Sequence, residues 1–411
     1  MERAGTDAAG LAAAGSRLAG KLIRRFEKAY AELAEKDPHL AAFELQLPDS
    51  PPQLIGRGQP RFKLTVNDKA GARALLSLDE TRIGASYLNG SIDITGELLA
   101  ALRLRPLLSD RHPLKDLWST WLHPRVFGQV KSDRKWIAEH YDEDPEFYTT
   151  WLDETRVYSQ GVFESDDETL TTALRRKLDF AFDACRMKPG DRVLDIGGGW
   201  GAFTEYGGKR GLRVTTLTIS RPSEDYINEL IEREKLPCTV LLEHFLEHET
   251  DEKYDAIVNT GVTEHLPDYR ATLAQYQTLL KPGGRVYLDA SASHRRLPST
   301  SFVYTYIYPG NASTLCLHDY LSELAKTPLE LQCLYNDRTS YVLTSKHWAQ
   351  NLERARDEIV RRWGEFAYRK FRLFHWGCVY AFSTSLLTAY RMVLELPAEL
   401  HLKRRIGGGE F

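Results

Sequence analysis

Hydrophobic and polar positions run through this chain in two rhythms. From Ser16 to about Lys36, Leu18, Leu22, Phe26, Tyr30 and Leu33 recur every three or four residues, a spacing that predicts an amphipathic helix. Arg17, Lys21, Arg24, Arg25 and Lys28 surround that stripe, so the helix either packs on its own domain with a solvated face or rests on anionic lipid. FKLTVND (62–68) predicts a strand, RALLSL (73–78) a second, and GASYLNGSIDITGELLAALRL a turn followed by a short helix. Together they suggest a small α+β domain over 38–110, closed by a proline-marked linker with Pro106, Pro113 and Pro124.

After about residue 125 the rhythm changes to strand–helix alternation, which predicts an α/β sheet. Candidate strands are 192–198, 213–220, 238–244, 254–262 and 283–292, with LELQCLY as a sixth and AYRMVLEL (389–396) as a seventh. Long helical patterns fill 340–385. The expected division is a tail and helix at 1–37, a small domain with linker at 38–124, a larger α/β domain at 125–396 and a tail at 397–411.

Composition narrows the function classes. The 411 residues carry 54 basic and 57 acidic side chains, a net charge of −3, and this near-balance argues against wholesale nucleic-acid binding. No apolar run reaches the roughly 18 residues that a membrane span needs, and the opening segment lacks the pattern of a secretory signal. The five cysteines are scattered without a CxxC pair, which fits a reducing, cytoplasmic setting rather than a disulfide framework or a zinc site. His244-x-x-Glu247-His248 matches a metalloprotease pattern by letter, but it follows a strand and no third ligand accompanies it, so no metal is expected.

The most informative segment is KPGDRVLDIGGGWGAF. A strand carrying Asp195 runs into Gly197, Gly198, Gly199 and Gly201, which let the backbone turn sharply and approach a ligand before a helix begins. Gly197-x-Gly199-x-x-Ala202 also satisfies the dinucleotide fingerprint, but the second strand ends TLTISRPS without the acid that fingerprint wants. Glu243 at the end of the third strand, Glu264-His265 after the fourth and KPGG before the fifth favour S-adenosylmethionine (AdoMet) and a class I methyltransferase, with Thr218 a further candidate cofactor-binding residue.

HYDEDPEFYTTWLDETRVYSQGVF (140–163), VLDIGGGWG (193–201), VTEHLPDY (262–269) and YIYPGNAS (306–313), in that order, carry a resemblance to the cyclopropane fatty acid and mycolic acid cyclopropane synthases. It covers about 125–396, and more weakly the small domain before it. The resemblance implies a Rossmann-like, seven-stranded, mostly parallel sheet with helical insertions, and AdoMet as cofactor. It implies that Tyr141, Tyr158 and Ser159 lie at the methionine end, that Gly197 and Gly199 cradle the cofactor with Asp195 orienting the loop, and that Leu242 and Glu243 border the adenine. The implied substrate is an unsaturated fatty acyl or phospholipid chain, met at the inner membrane surface; self-association is left open.

In that family the alkene attacks the cofactor's methyl, a carbocation forms, and a bound bicarbonate takes the proton. This chain keeps Glu264 of the anion site but has Gln160 at the cysteine position, Asp289 at the histidine position and Phe374 near the late tyrosine. Two carboxylates would repel bicarbonate. The expectation is therefore that Asp289 or Glu264 takes the proton or steadies the cation, assisted by His265 and by an insertion tyrosine such as Tyr306. A methylene- or methyl-branched product then stands beside cyclopropane. A natural-product C- or N-methyltransferase and a catalytically silent lipid- or AdoMet-binding relative are the alternatives.

Overall fold

The structure, a computed structural model, describes residues 20–48, 50–109, 144–294, 300–308 and 313–399. Tyr141, both chain tails, most of the proline linker and part of the YIYPGNAS segment fall outside these residues.

The chain divides into two compact units. The first comprises residues 1–113, 300–302 and 357–380. Its four-stranded sheet has the order β2-β1-β3-β4, with β1 at Phe43–Gln46, β2 at Gln53–Ile55, β3 at Phe62–Val66 and β4 at Ile92–Gly96. The helix over 20–34 lays Leu22, Phe26, Tyr30 and Leu33 into this core, where Phe43 stacks on Phe62 with ring centroids 4.8 Å apart. Its apolar stripe is spent on its own domain, so the packed reading of this helix holds. The predicted strand RALLSL is instead the end of a helix, Lys69–Ser77: Asp68 caps it through Gly71 N–H, and a helical start overrides the weak strand signal.

The long helix Arg356–Ser383 is broken at Gly364 (φ 86°). Residues 357–380 of it group with the first unit, where the sequence pattern expected them with the larger domain. Arg369 donates to the Tyr87 and Ile92 carbonyls and pairs with Asp93 at 3.4 Å, and Arg372 donates to the Tyr87 hydroxyl. Part of this helix's positive charge is therefore structural. So are several of its aromatics: Phe371 and Phe382 are fully buried, whereas Phe366 is exposed.

The second unit contains the sheet β10-β11-β9-β8-β5-β6-β7. β5 (Arg192–Ile196), β6 (Arg213–Thr218), β7 (Thr239–Leu242), β8 (Tyr254–Thr260) and β9 (Leu280–Ala292) are parallel. β11 (Thr388–Glu395) is antiparallel to both β9 and β10 (Glu330–Asn336). This is the class I methyltransferase sheet, and all seven expected strands are present. Its central strands are hydrophobic because helices cover both faces. The strand order reverses between β5 and β8, which opens a crevice at their carboxyl ends.

Candidate functional site

A cleft with an empty volume of about 1160 Å³, its open mouth included, lies at that reversal. Its floor is made by the ends of parallel strands: Ile196 closing β5 and Gly197 after it, Thr218 in β6, Glu243 after β7, and Thr260 closing β8 with Gly261 and Val262 after it. Gly197, Gly199 and Gly201 all have positive φ, and a Cβ on Gly198 would stand 2.1 Å from Thr216 Cγ2. Only glycines let this loop turn so close to the sheet. Ser223 Oγ donates to the Gly199 carbonyl at 2.6 Å and pins the loop from the next helix.

Asp195 lines the cleft while being 1% exposed, and burial lifts its carboxyl to about 7, opposed by Thr216. Tyr158 and Ser159 form one wall. The Tyr158 ring sits 5.3 Å from Trp151 and 5.1 Å from Trp348, an aromatic box assembled from segments far apart in sequence. Arg156, also in the wall, adopts positive φ (58°) and donates through Nε to the Trp200 carbonyl while pairing with Glu205. It clasps the glycine loop to the wall segment, which accounts for its unusual backbone.

Glu243 is half exposed to the cleft, and its Oε2 is 2.7 Å from His248 Nδ1. His248 Nε2 lies 2.9 Å from the Tyr254 hydroxyl. The neutral tautomer with its proton on Nδ1 satisfies both contacts. His248 thus orients Glu243, and His244 accepts the Leu246 N–H through Nδ1. Both histidines of the HxxEH pattern therefore shape the Glu243 side of the cleft. Leu242 ends β7 one residue short of the cleft lining. Among the described residues, Cys316, His318 and Asp319 bring metal-type donor atoms within 4.8 Å of one another; no sequence-predicted site residue is among them.

The cradle fits AdoMet. The glycine loop leaves open space at Gly199, a carboxylate faces the region beyond β7, and Ser159 and Tyr158 stand at the opposite end.

The expected acid–base residues lie beside and beneath this cleft. His265 lines it, with the Tyr308 ring 5.8 Å away. Tyr306 ends the short helix Ser301–Tyr306, two residues before the tyrosine that meets His265, and it is absent from the cleft lining. Glu264 sits in the turn Thr263–His265, and its Oε1 accepts from Ser291 N–H at 2.7 Å and Ser291 Oγ at 2.9 Å. Burial raises its carboxyl to about 7 despite those donors, and Asp289 adds to the rise. Such a carboxyl is suited to exchange a proton near neutral pH.

Asp289 is fully buried and faces Lys177, also fully buried, at 3.1 Å. It does not line the cleft, and Lys177 holds it, whereas the expectation had Asp289 or Glu264 taking the proton or steadying the cation. Gln160 is equally buried, with its Nε2 3.4 Å from the Tyr390 carbonyl. Phe374 lies in the first unit.

Sequence reading missed Lys177, Arg156 and His248. The signal for Lys177 was present: in Leu170–Ala184 it falls on the buried stripe of Leu170, Leu174, Leu178 and Ala181. A lysine among such positions needs an anion.

Residues 129–392 match the mycolic acid cyclopropane synthetase family. The chain is 27% identical over 285 residues to a sphingolipid C9-methyltransferase of Candida albicans, covering 65% of this chain but only 56% of that protein's length. A probable fatty acid methyltransferase of Pseudomonas putida is 25% identical, with 82% of this chain and 88% of that one covered. A solved cyclopropane synthase of Mycobacterium tuberculosis superposes with a TM-score of 0.60 at 26% identity, covering 64% of this chain and 98% of that one. With a crevice at the strand reversal, a glycine cradle fitted to AdoMet and a match across most of its length, this chain belongs to the mycolic acid cyclopropane synthetase family of S-adenosylmethionine-dependent methyltransferases.

Proposed function

We propose that this methyltransferase acts on the double bond of an unsaturated fatty acyl chain, giving a cyclopropane or a methylene- or methyl-branched product, with Glu264 as the proton acceptor. The observation that carries this reading is Glu264: a carboxyl raised to about 7, fixed by two hydrogen bonds from Ser291 next to the cleft wall. The relatives named for fatty acid and sphingolipid methylation support a lipid substrate. Bound AdoMet supplies an electrophilic methyl group.

The protein's own residues do the rest. Gly197 and Gly199 would cradle the cofactor, Glu243 would hold its adenine end, and Tyr158 with Ser159 would border its methionine end; all five residues line the cleft. The ring of Tyr158, which lines the cleft, offers a negative face that favours developing positive charge. Glu264 then holds the proton lost from the alkylated chain.

Bicarbonate has no part in this reading. Two carboxylates, Glu264 and Asp289, would repel an anion, and the charges of the nearby cations are already balanced: Lys177 faces Asp289, and Arg391 faces Asp337 at 3.4 Å. Turnover should be unchanged in buffer stripped of carbon dioxide; a loss restored by bicarbonate refutes this part. Access to a lipid surface is also part of the proposal, supported by exposed Arg361 and Arg362 beside exposed Phe366. Among the described residues no helix is long and apolar enough to cross a membrane.

The test is mass spectrometry of lipids from a host expressing the protein and fed methyl-deuterated methionine. An acyl chain that gains CH2 with two deuteriums retained supports cyclopropane or methylene formation, and three retained indicates a methyl branch. Label confined to a polar metabolite overturns the lipid reading in favour of a small-molecule methyltransferase.

A further inference from the structure

Beneath the cleft wall lies a polar layer that the reaction as written does not use. Lys177, from helix Leu170–Ala184, is fully buried, and its Nζ contacts both the Ser159 hydroxyl and Asp289 Oδ2. The Tyr287 hydroxyl donates to the same Oδ2 at 3.1 Å. Arg391 on β11 is the cross-strand partner of Asp289, and it pairs with Asp337 while stacking over the Phe180 and Tyr335 rings. Two cations thus face two anions, and the layer is neutral. Among the described residues Asp289 Oδ1 and Glu264 Oε2 have no hydrogen-bond partner, although both are buried.

Strand geometry ties this layer to Glu264. Asp289 and Ser291 lie two residues apart on β9 and so present side chains on one face, roughly 7 Å apart along the strand. Ser291 holds Glu264, so an uncompensated charge at Asp289 acts on the Glu264 carboxyl through a poorly solvated interior. The other titratable groups near Glu264 are His265 in its own turn and Tyr308 against His265. Those facing Asp289 are Lys177, Tyr287, Arg391 and Asp337.

We propose that Lys177 is a positioning residue: its ammonium fixes Ser159 in the cleft wall and cancels the Asp289 charge, so that Glu264, held by Ser291 on the same strand face, meets a neutral layer rather than an unpaired charge. This rests on Glu264 as the proton acceptor. Lys177 touches no reacting atom and acts through Ser159, Asp289 and Glu264.

The test reads the Glu264 carboxyl directly, as the pH-dependent infrared difference between each full-length protein and its E264Q counterpart. It is paired with the pH profile of turnover and with calorimetric AdoMet binding. In Lys177→Met the unpaired Asp289 should move the Glu264 midpoint up by about one unit, a tenfold change in the ionised fraction below the midpoint. In Asp289→Asn the unpaired ammonium should move it down. The charge-balanced K177M/D289N protein and the charge-keeping K177R protein should both restore the original midpoint. Single variants that both leave the midpoint in place, or move it the same way, overturn the proposal. Where a single variant does not fold, the double variant and K177R decide, and a displaced midpoint in either overturns it.

The infrared readout also separates this proposal from the functional one. If E264Q retains turnover, Glu264 is not the proton acceptor, and the midpoints still report whether Lys177 sets its titration.

Discussion

The two ends of the cleft are built by different means. At the cofactor end the backbone makes the site: three positive-φ glycines, a strand terminus, and a loop pressed to 2.1 Å of Thr216 for any Cβ placed on Gly198. At the acid end side chains make it. Ser159, Lys177, Glu264, Asp289, Asp337 and Arg391 come from separate segments and meet in one buried layer. A backbone site tolerates no side chain but is indifferent to distant charges. A side-chain site is the reverse: each member can be replaced in volume, while its electrostatics depend on every other member.

The sharpest way to break this comparison is Glu264→Gln. Turnover should fall by about 10²- to 10⁴-fold, the usual value of a positioned general base. AdoMet affinity measured by calorimetry should stay within about twofold, because Glu264 does not line the cradle. Equal loss of binding and turnover would mean that the two ends are one site. Next comes Gly198→Ala, which forces overlap with Thr216 and should weaken AdoMet binding by about 100-fold, corresponding to an overpacking cost of up to about 3 kcal/mol. The infrared midpoint of Glu264 should not move in that protein.

The pH dependence tests the acid end alone. Turnover should rise as pH increases through about 7, when Glu264 loses its proton, and this limb should vanish in E264Q. Stability should run the other way. Burial holds Asp195 and Glu264 at about 7 and Asp337 at about 6, so the folded protein binds more protons than the unfolded chain between about pH 4 and 7. Thermal midpoints of the ligand-free protein should therefore fall as pH rises through that window; a rising midpoint would show these carboxyls ionised in the fold. The smallest effect belongs to His248→Ala. It frees Glu243 from its 2.7 Å contact and should weaken AdoMet binding about 3- to 10-fold, the value of one modest hydrogen bond.

The seven strands and the glycine loop were legible because each is local: apolar runs give strands, and consecutive glycines give a tight turn. The helix over 20–34 was legible as a helix, while its choice of core over lipid was settled by Phe43 and its neighbours. RALLSL misled because six residues cannot separate a short strand from the end of a capped helix. Asp289 was found, and its partner was not, since Lys177 lies 112 positions earlier in the chain.

The sequence by itself determined the sheet, the cradle and the family, because spacing within one segment fixes backbone shape and periodicity. Only the tertiary structure decided which carboxyl stands beside the cleft and which is spent on an ion pair. Burial and charge compensation are sums over side chains from distant segments, and they acquire values only once those segments pack.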